Sequence, residues 1–282
     1  MGIGNAHKSN GDFEQAISAY QDSLKEEVAL SALNNLVRTY QTLKESALIK
    51  AEKIDKPEDS QKYKSLAQTY ELQALKYATQ ALSISDRETS SSAVYALIEW
   101  GKFKGNKLDL KQLARGQNII DELPISKSLV YLLINWATVD TQKTVYWLGK
   151  AENIASKLKA PELQSYVNLE LGYFFQKKQN WTLALKYADE AYSKSQAEST
   201  NDSNYRSLKL MGDLHLQMGK KELALKNYRD TILAIDYLNK TISSTNAERT
   251  IKFNREIQPV YKNALSIILE QPKLSTGQNL KK

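Results

Sequence analysis

Cysteine is absent from this chain, and histidine (two residues), proline (five) and glycine (eleven of 282) are scarce. Without cysteine there is no disulfide, no thiolate metal site and no cysteine nucleophile, and the chain suits a reducing or an oxidising compartment alike. The two histidines, His7 and His215, stand far apart, and no pair of histidines or carboxylates has metal-ligand spacing with a supporting third ligand. The glycines are isolated, which excludes a glycine-rich phosphate loop. No apolar run approaches the roughly 18 residues needed to cross a bilayer. Met1 to Lys8 also lacks the apolar core of a signal peptide. These absences lead us to expect a non-enzymatic, cytoplasmic protein with no cofactor, no metal and no membrane span.

What is present is helical periodicity. Within Tyr205 to Leu238, Leu208, Met211, Gly212 and His215 recur at helical spacing, Gly219 breaks the run, and Leu223, Ala224, Tyr228, Ile232 and Ile235 form a second stripe. Gly212 lies twelve residues before Ala224. Gly172 and Ala184 repeat that interval, with Leu171, Phe175, Trp181, Leu185, Ala188 and Ala191 around them, and so do Gly4 and Ala16, followed by Tyr20. A fourth copy opens at Asn34-Asn35-Leu36-Val37 with Tyr40 and resumes at Ala74 to Leu82, its halves held apart by an insert rich in Lys, Glu and Ala. Small residues at such positions allow helices to cross closely. The order of large, small and aromatic residues resembles the tetratricopeptide (TPR) signature of about 34 residues.

The expected fold is therefore all-α: an α-α superhelix, a TPR-type solenoid of stacked antiparallel helical hairpins with a C-terminal capping helix. Residues 1–245 form the array, with a long hairpin insert at about 45–65, degenerate repeats at about 86–158 and the clearest repeats at 160–199 and 201–240. Residues 246–270 form the capping helix, in which Pro259 starts or kinks a helix, and 271–282 form a tail read as a truncated linker. Gly4 already sits at a crossing position, so an earlier repeat is expected upstream. Ser126 to Val139 is apolar on more than one side, which makes Trp136 and Trp147 core residues. Acidic residues fall on polar faces throughout.

The charge of +7 and pI near 9.2 raise the question of nucleic acid. A phosphate-binding surface would gather Lys and Arg on one face. Here they alternate with acids, as in Lys50, Glu52, Lys53, Asp55, Lys56, Glu58 and Asp59, leaving only Lys102-Phe103-Lys104 and Lys281-Lys282 as basic exceptions. An RNA-binding helical repeat remains the second reading and an enzyme the third. The first is a scaffold binding a protein or an extended peptide. In TPR arrays the first helix of each pair lines the concave side, and the signature maps Tyr166, Leu169, Tyr173 and Gln176 there in one repeat. Arg206, Lys209, Asp213 and Gln217 are their counterparts in the next, and Asn34, Arg38 and Gln41 in the earlier one. Aromatic, amide and basic groups together suit an extended peptide. The spaced Lys and Asn pattern that clamps a terminal carboxylate is missing.

A second resemblance begins at Phe253. Phe253, Pro259, Val260, Tyr261 and the Leu-rich continuation to Leu269, together with Leu123-Pro124-Ile125-Ser126 and Trp100-Gly101, resemble the region preceding the caspase-like CHAT domain in bacterial, especially cyanobacterial, CHAT proteins. Asn254 departs from the arginine usual there, with Arg255 shifted by one. The resemblance implies that a protease-like domain with a His–Cys pair would follow in a longer chain, as a possible partner of the array. The present sequence would then be its regulatory or targeting region.

Overall fold

The computed structural model describes residues 2–26, 29–196, 202–241 and 253–270, and every regular element among them is helical. The helices are α1 (Gly2–Asn10), α2 (Phe13–Glu26), α3 (Leu30–Lys53), α4 (Pro57–Ser85), α5 (Ser91–Phe103), α6 (Leu110–Glu122), α7 (Lys127–Trp136), α8 (Thr144–Lys157), α9 (Pro161–Lys177), α10 (Trp181–Ser195), α11 (Ser203–Gln217), α12 (Lys221–Thr241) and α13 (Gln258–Glu270), the last preceded by a π-helical turn, Phe253–Ile257. Residues 246–252 of the expected cap and the tail 271–282 lie outside the described residues, as does the junction 197–201 between the two clearest repeats.

Local signals set the helix ends. Asp109 and Gln112 form a reciprocal capping box at the start of α6, and the side chains of Ser126 and Asn180 accept from the backbone N–H three residues on. Pro57 and Pro161 occupy first-turn positions, where no intrahelical N–H bond is lost. Gly219 closes α11 with φ of 74°, a left-handed conformation that costs glycine little. Forty residues earlier Gln179 takes the same role with φ of 56°, so the turn is kept although the residue is ill suited to it.

The helices form six antiparallel hairpins, α1/α2 to α11/α12, stacked into a solenoid. The first helices α3, α5, α7, α9 and α11 pack on one another in succession, whereas successive second helices do not pack comparably. The first helices are thus the more closely held layer of the stack, the layer that the repeat signature expects on the concave side. One core runs from Ala16 on α2 to Leu171 on α9, and others continue it through α10, α11 and α12. Trp136 and Trp147 are fully buried in it, their rings edge to face at 6.4 Å.

Acids are not confined to polar faces. Glu99 is fully buried, and buried Asp140 accepts a 2.7 Å hydrogen bond from the Trp147 indole N–H. Each has a reason for its burial, since a carboxylate without partners would be costly there. Asp140 satisfies the indole, and Glu99 holds two cations.

The crossing glycines are helical, and their neighbours explain them. A Cβ on Gly4 would lie 2.5 Å from the Tyr20 ring, and one on Gly212 would lie 2.6 Å from the Tyr228 ring. In both places the tyrosine hydroxyl also donates, at 2.8 Å, to the side chain that follows the glycine, Asn5 or Asp213. The glycine thus accommodates an aromatic ring sixteen residues on, rather than the alanine twelve residues on. At Gly172, where residue 188 is alanine, the Cβ would meet Leu210 at 2.8 Å and the α10 backbone at 3.5 Å.

The long pair α3 and α4 is zipped along its length, with Tyr40 stacked on Tyr77 at 5.8 Å between centroids. On α3, Glu45 meets Arg255 of the π-helical turn in an ion pair that links the two ends of the array. At the C-terminal end α13 lays Val260, Ala264 and Ile267 over Ala224, Leu225 and Tyr228 of α12. Its opposite side leaves Tyr261, Leu265, Ile268 and Leu269 exposed, so this cap covers α12 without ending the described stack on a polar face. No helix among the described residues is long and apolar enough to cross a membrane.

Candidate functional site

The first-helix layer carries its chemistry on α9 and α11. Tyr166, Glu170, Tyr173 and Lys177 follow one another at i, i+4, i+7 and i+11, a single face of α9. Asp202, Arg206, Lys209 and Asp213 repeat that spacing across α11, which packs beside it. The Tyr166 hydroxyl donates to Asp202 Oδ1, and the Tyr205 hydroxyl donates to Glu256 Oε2 from the π-helical turn. Arg206 Nε stands 3.9 Å from that same Glu256 oxygen. Lys209 Nζ donates to Asp213 Oδ2 at 2.6 Å, while Tyr228 holds the other Asp213 oxygen.

Burial and charge act together on these groups. Burial works against the charge on the Arg206 guanidinium, but Tyr173, Glu256, Asp202 and Glu170 around it outweigh that and raise its pKa above the usual value. Burial, then the nearby carboxylates, push the Tyr166 and Tyr205 hydroxyls well above the usual phenol range. Tyr173 is pushed up to about 12, mainly by burial. Burial also raises the Glu170 carboxyl against the pull of Arg206 and Lys177. Unlike Asp202, Asp213 and Glu256, Glu170 accepts no hydrogen bond and has no ion pair within 4.0 Å among the described residues.

Beside Glu170 lies a groove of about 410 Å³ between α7, the start of α8 and α9. Its walls include Ile134, Ala137, Leu148, Glu170, Tyr173 and Phe174, with the exposed Lys177 and Lys178 also lining it. A second polar patch sits toward the N-terminus on α3 and α5. Buried Glu99 there takes Arg38 Nε at 3.0 Å and Lys102 Nζ at 3.2 Å, and the Arg38 guanidinium covers the Tyr95 ring at 4.5 Å.

Of the residues the repeat signature maps to this face, Tyr166, Tyr173, Arg206, Lys209 and Asp213 come together on α9 and α11, and Arg38 lies on the α3–α5 patch. Gln176 is half-buried, as is Gln41, and Gln217 is exposed. Two placements need correction. Leu169 is fully buried among Ala184, Ala188 and Leu210, because one residue of helical rotation separates it from the face that holds Glu170. Asn34 is buried too, its amide donating to the Ser92 carbonyl at 2.9 Å to tie α3 to α5. Glu170 itself, overlooked in the sequence, was signalled by its spacing between Tyr166 and Tyr173. Glu256 carried no such signal, lying where the repeat spacing is lost.

His215 is partly covered, 3.3 Å from the Asn227 amide through Nδ1, and burial followed by Lys220 pushes its imidazole down. No group of three potential metal ligands occurs among the described residues. No protein-family model matches the chain, and no curated protein matches it in sequence.

Proposed function

We propose that the chain is a non-catalytic TPR-type scaffold that binds a protein or an extended peptide on its concave face. The observation that carries this reading is the run of partly buried phenols, carboxylates and cations along one side of α9 and α11, continuous with a groove of about 410 Å³. Aromatic faces can stack on peptide side chains, and polar groups between them can meet backbone amides. Four cations of the same layer are already engaged, Arg38 and Lys102 by Glu99, Lys209 by Asp213 and Arg206 by Glu256, which leaves Lys177 at the rim. That disfavours the alternative of an RNA-binding repeat, which needs unspent basic groups to follow phosphates. The narrower reading, a regulatory or targeting region of a CHAT-type protein, rests on the sequence resemblance around Phe253 to Leu269.

The test is a peptide-display selection on the purified chain, with the best sequences measured by fluorescence anisotropy. Affinity should fall at least about tenfold when Tyr166, Tyr173 and Arg206 are changed together to Ala, provided circular dichroism shows the variant folded. Equal affinity in the variant would remove this face from consideration. Binding of single-stranded RNA with steep salt dependence, in place of peptide binding, would move the chain to the second class.

A further inference from the structure

We propose that the groove beside Glu170 is a subsite for a basic side chain, lysine or arginine, of the ligand. This rests on the reading of the concave face as a peptide-binding surface and names the chemistry of one of its pockets. Three observations support it. Glu170 lines the groove and is the carboxylate of its cluster that the protein itself leaves without a hydrogen bond, while Asp202, Asp213 and Glu256 are each engaged. Arg206 is shared with Asp202 and Glu256, and although Arg206 and Lys177 both act on Glu170 through space, neither is bonded to it. A cation arriving in the groove meets an unbonded carboxylate there, whereas an incoming carboxylate meets a like charge.

The rest of the wall matches the other parts of such a side chain. Tyr173 and Phe174 offer aromatic surface for an ammonium or guanidinium group. Ile134, Ala137 and Leu148 offer apolar surface for its aliphatic stem. The hydroxyl protons of Thr138 and Thr144 are engaged by the Asn135 carbonyl and by the Ala137 and Thr141 carbonyls, which leaves their oxygens able to accept from a cationic donor. Lys177 and Lys178 oppose the proposal electrostatically, but both are exposed. Lys178 lies 5.8 Å from the Phe174 ring centroid, and Lys177 makes no ion pair with Glu170 within 4.0 Å. They bias the site toward a cation able to reach past the rim.

The experiment uses the full chain, isotopically labelled, titrated with four capped amino acids: the N-acetyl N-methylamides of arginine, lysine, norleucine and glutamate. The arginine and lysine probes should shift the amides of residues 134–148 and 170–178 saturably. Norleucine, which keeps the stem and lacks the charge, should bind several-fold more weakly, and glutamate should not saturate. Glu170→Gln should weaken the cationic probes at least about tenfold, the fold-change expected for loss of a charged hydrogen-bond acceptor. Lys177→Ala should strengthen them a few-fold by removing a competing charge. Glutamate binding as well as arginine, or Glu170→Gln leaving every affinity unchanged, would overturn the subsite. Peptides from the display selection separate the two readings. If they bind through Tyr166, Tyr173 and Arg206 but ignore Glu170→Gln, the subsite fails and the peptide scaffold stands. If no peptide binds at all, the scaffold reading itself is lost.

Discussion

Replacing Gly212 by alanine tests the account of how the hairpins cross. The added Cβ would sit 2.6 Å from Tyr228 Cε1 and 2.8 Å from Cδ1. Ordinary carbon contacts lie at about 3.5–4.0 Å, so the ring must retreat by about 1 Å. It has little room, being fully buried, with its hydroxyl donating to Asp213 at 2.8 Å and accepting from Asn263 of α13 at 3.2 Å. Overpacking of this kind costs about 1–3 kcal/mol. Alanine in place of glycine within a helix offsets about 1 kcal/mol of it. The net expectation for Gly212→Ala is a loss of about 0–2 kcal/mol, centred near 1. Gly149, also inside a helix, has nothing within 4 Å of its would-be Cβ, so Gly149→Ala should raise stability by about 1 kcal/mol. Urea unfolding followed by circular dichroism gives both values, and hydrogen exchange shows whether the loss is concentrated in α11 to α13. In a Tyr228→Leu background the Gly212→Ala penalty should largely vanish, a coupling of about 2 kcal/mol. If Gly212→Ala proves stabilising like Gly149→Ala, the steric explanation of the crossing glycine is wrong.

Three further outcomes follow from the same coordinates. Asp140→Ala should cost roughly 1–3 kcal/mol in chemical denaturation, because it strands a buried indole N–H, and Asp140→Asn should cost less since its amide oxygen can still accept. Gln179→Gly should add roughly 0.5–1 kcal/mol by relieving a left-handed φ of 56° at a turn where Gly219 already serves in the next repeat. Glu170 supplies a pH signature. Its folded carboxyl is raised by burial, so the folded chain holds that proton more tightly than the unfolded one, and its contribution to stability is lost as pH rises through the raised value. Glu170→Gln should therefore match the wild type in thermal unfolding near pH 4 and exceed it at about pH 8, and equal midpoints at both would contradict the burial of that charge.

The hairpin stack was legible because its determinants are local. Recurrent small residues, capping side chains such as Asp109 and first-turn prolines act within a few residues of where they are read. The partner of each crossing glycine was harder to see. The interval to Ala224 recurs in three copies and the interval to Tyr228 in two, and only packing decides which side chain fills the gap. Transferring site positions from one repeat to the next placed Arg206 and Tyr173 on the face but misplaced Leu169, since a signature counts along the chain while exposure depends on rotation about the helix axis. Glu256 was beyond reach for a different reason. It approaches Arg206 from a non-repeating segment fifty residues away in the chain, and no pattern in sequence encodes that meeting.

The pair between Glu45 and Arg255 has a mechanical consequence. A solenoid whose units touch only their neighbours stretches like a coil spring, each joint yielding on its own. A clasp between points more than two hundred residues apart turns that spring into a buckled belt. Arg255 is largely open to water, so the clasp holds weakly and loosens in salt. Salt should therefore return the belt toward the spring, an opening that small-angle scattering at low and high ionic strength would register as a larger radius of gyration.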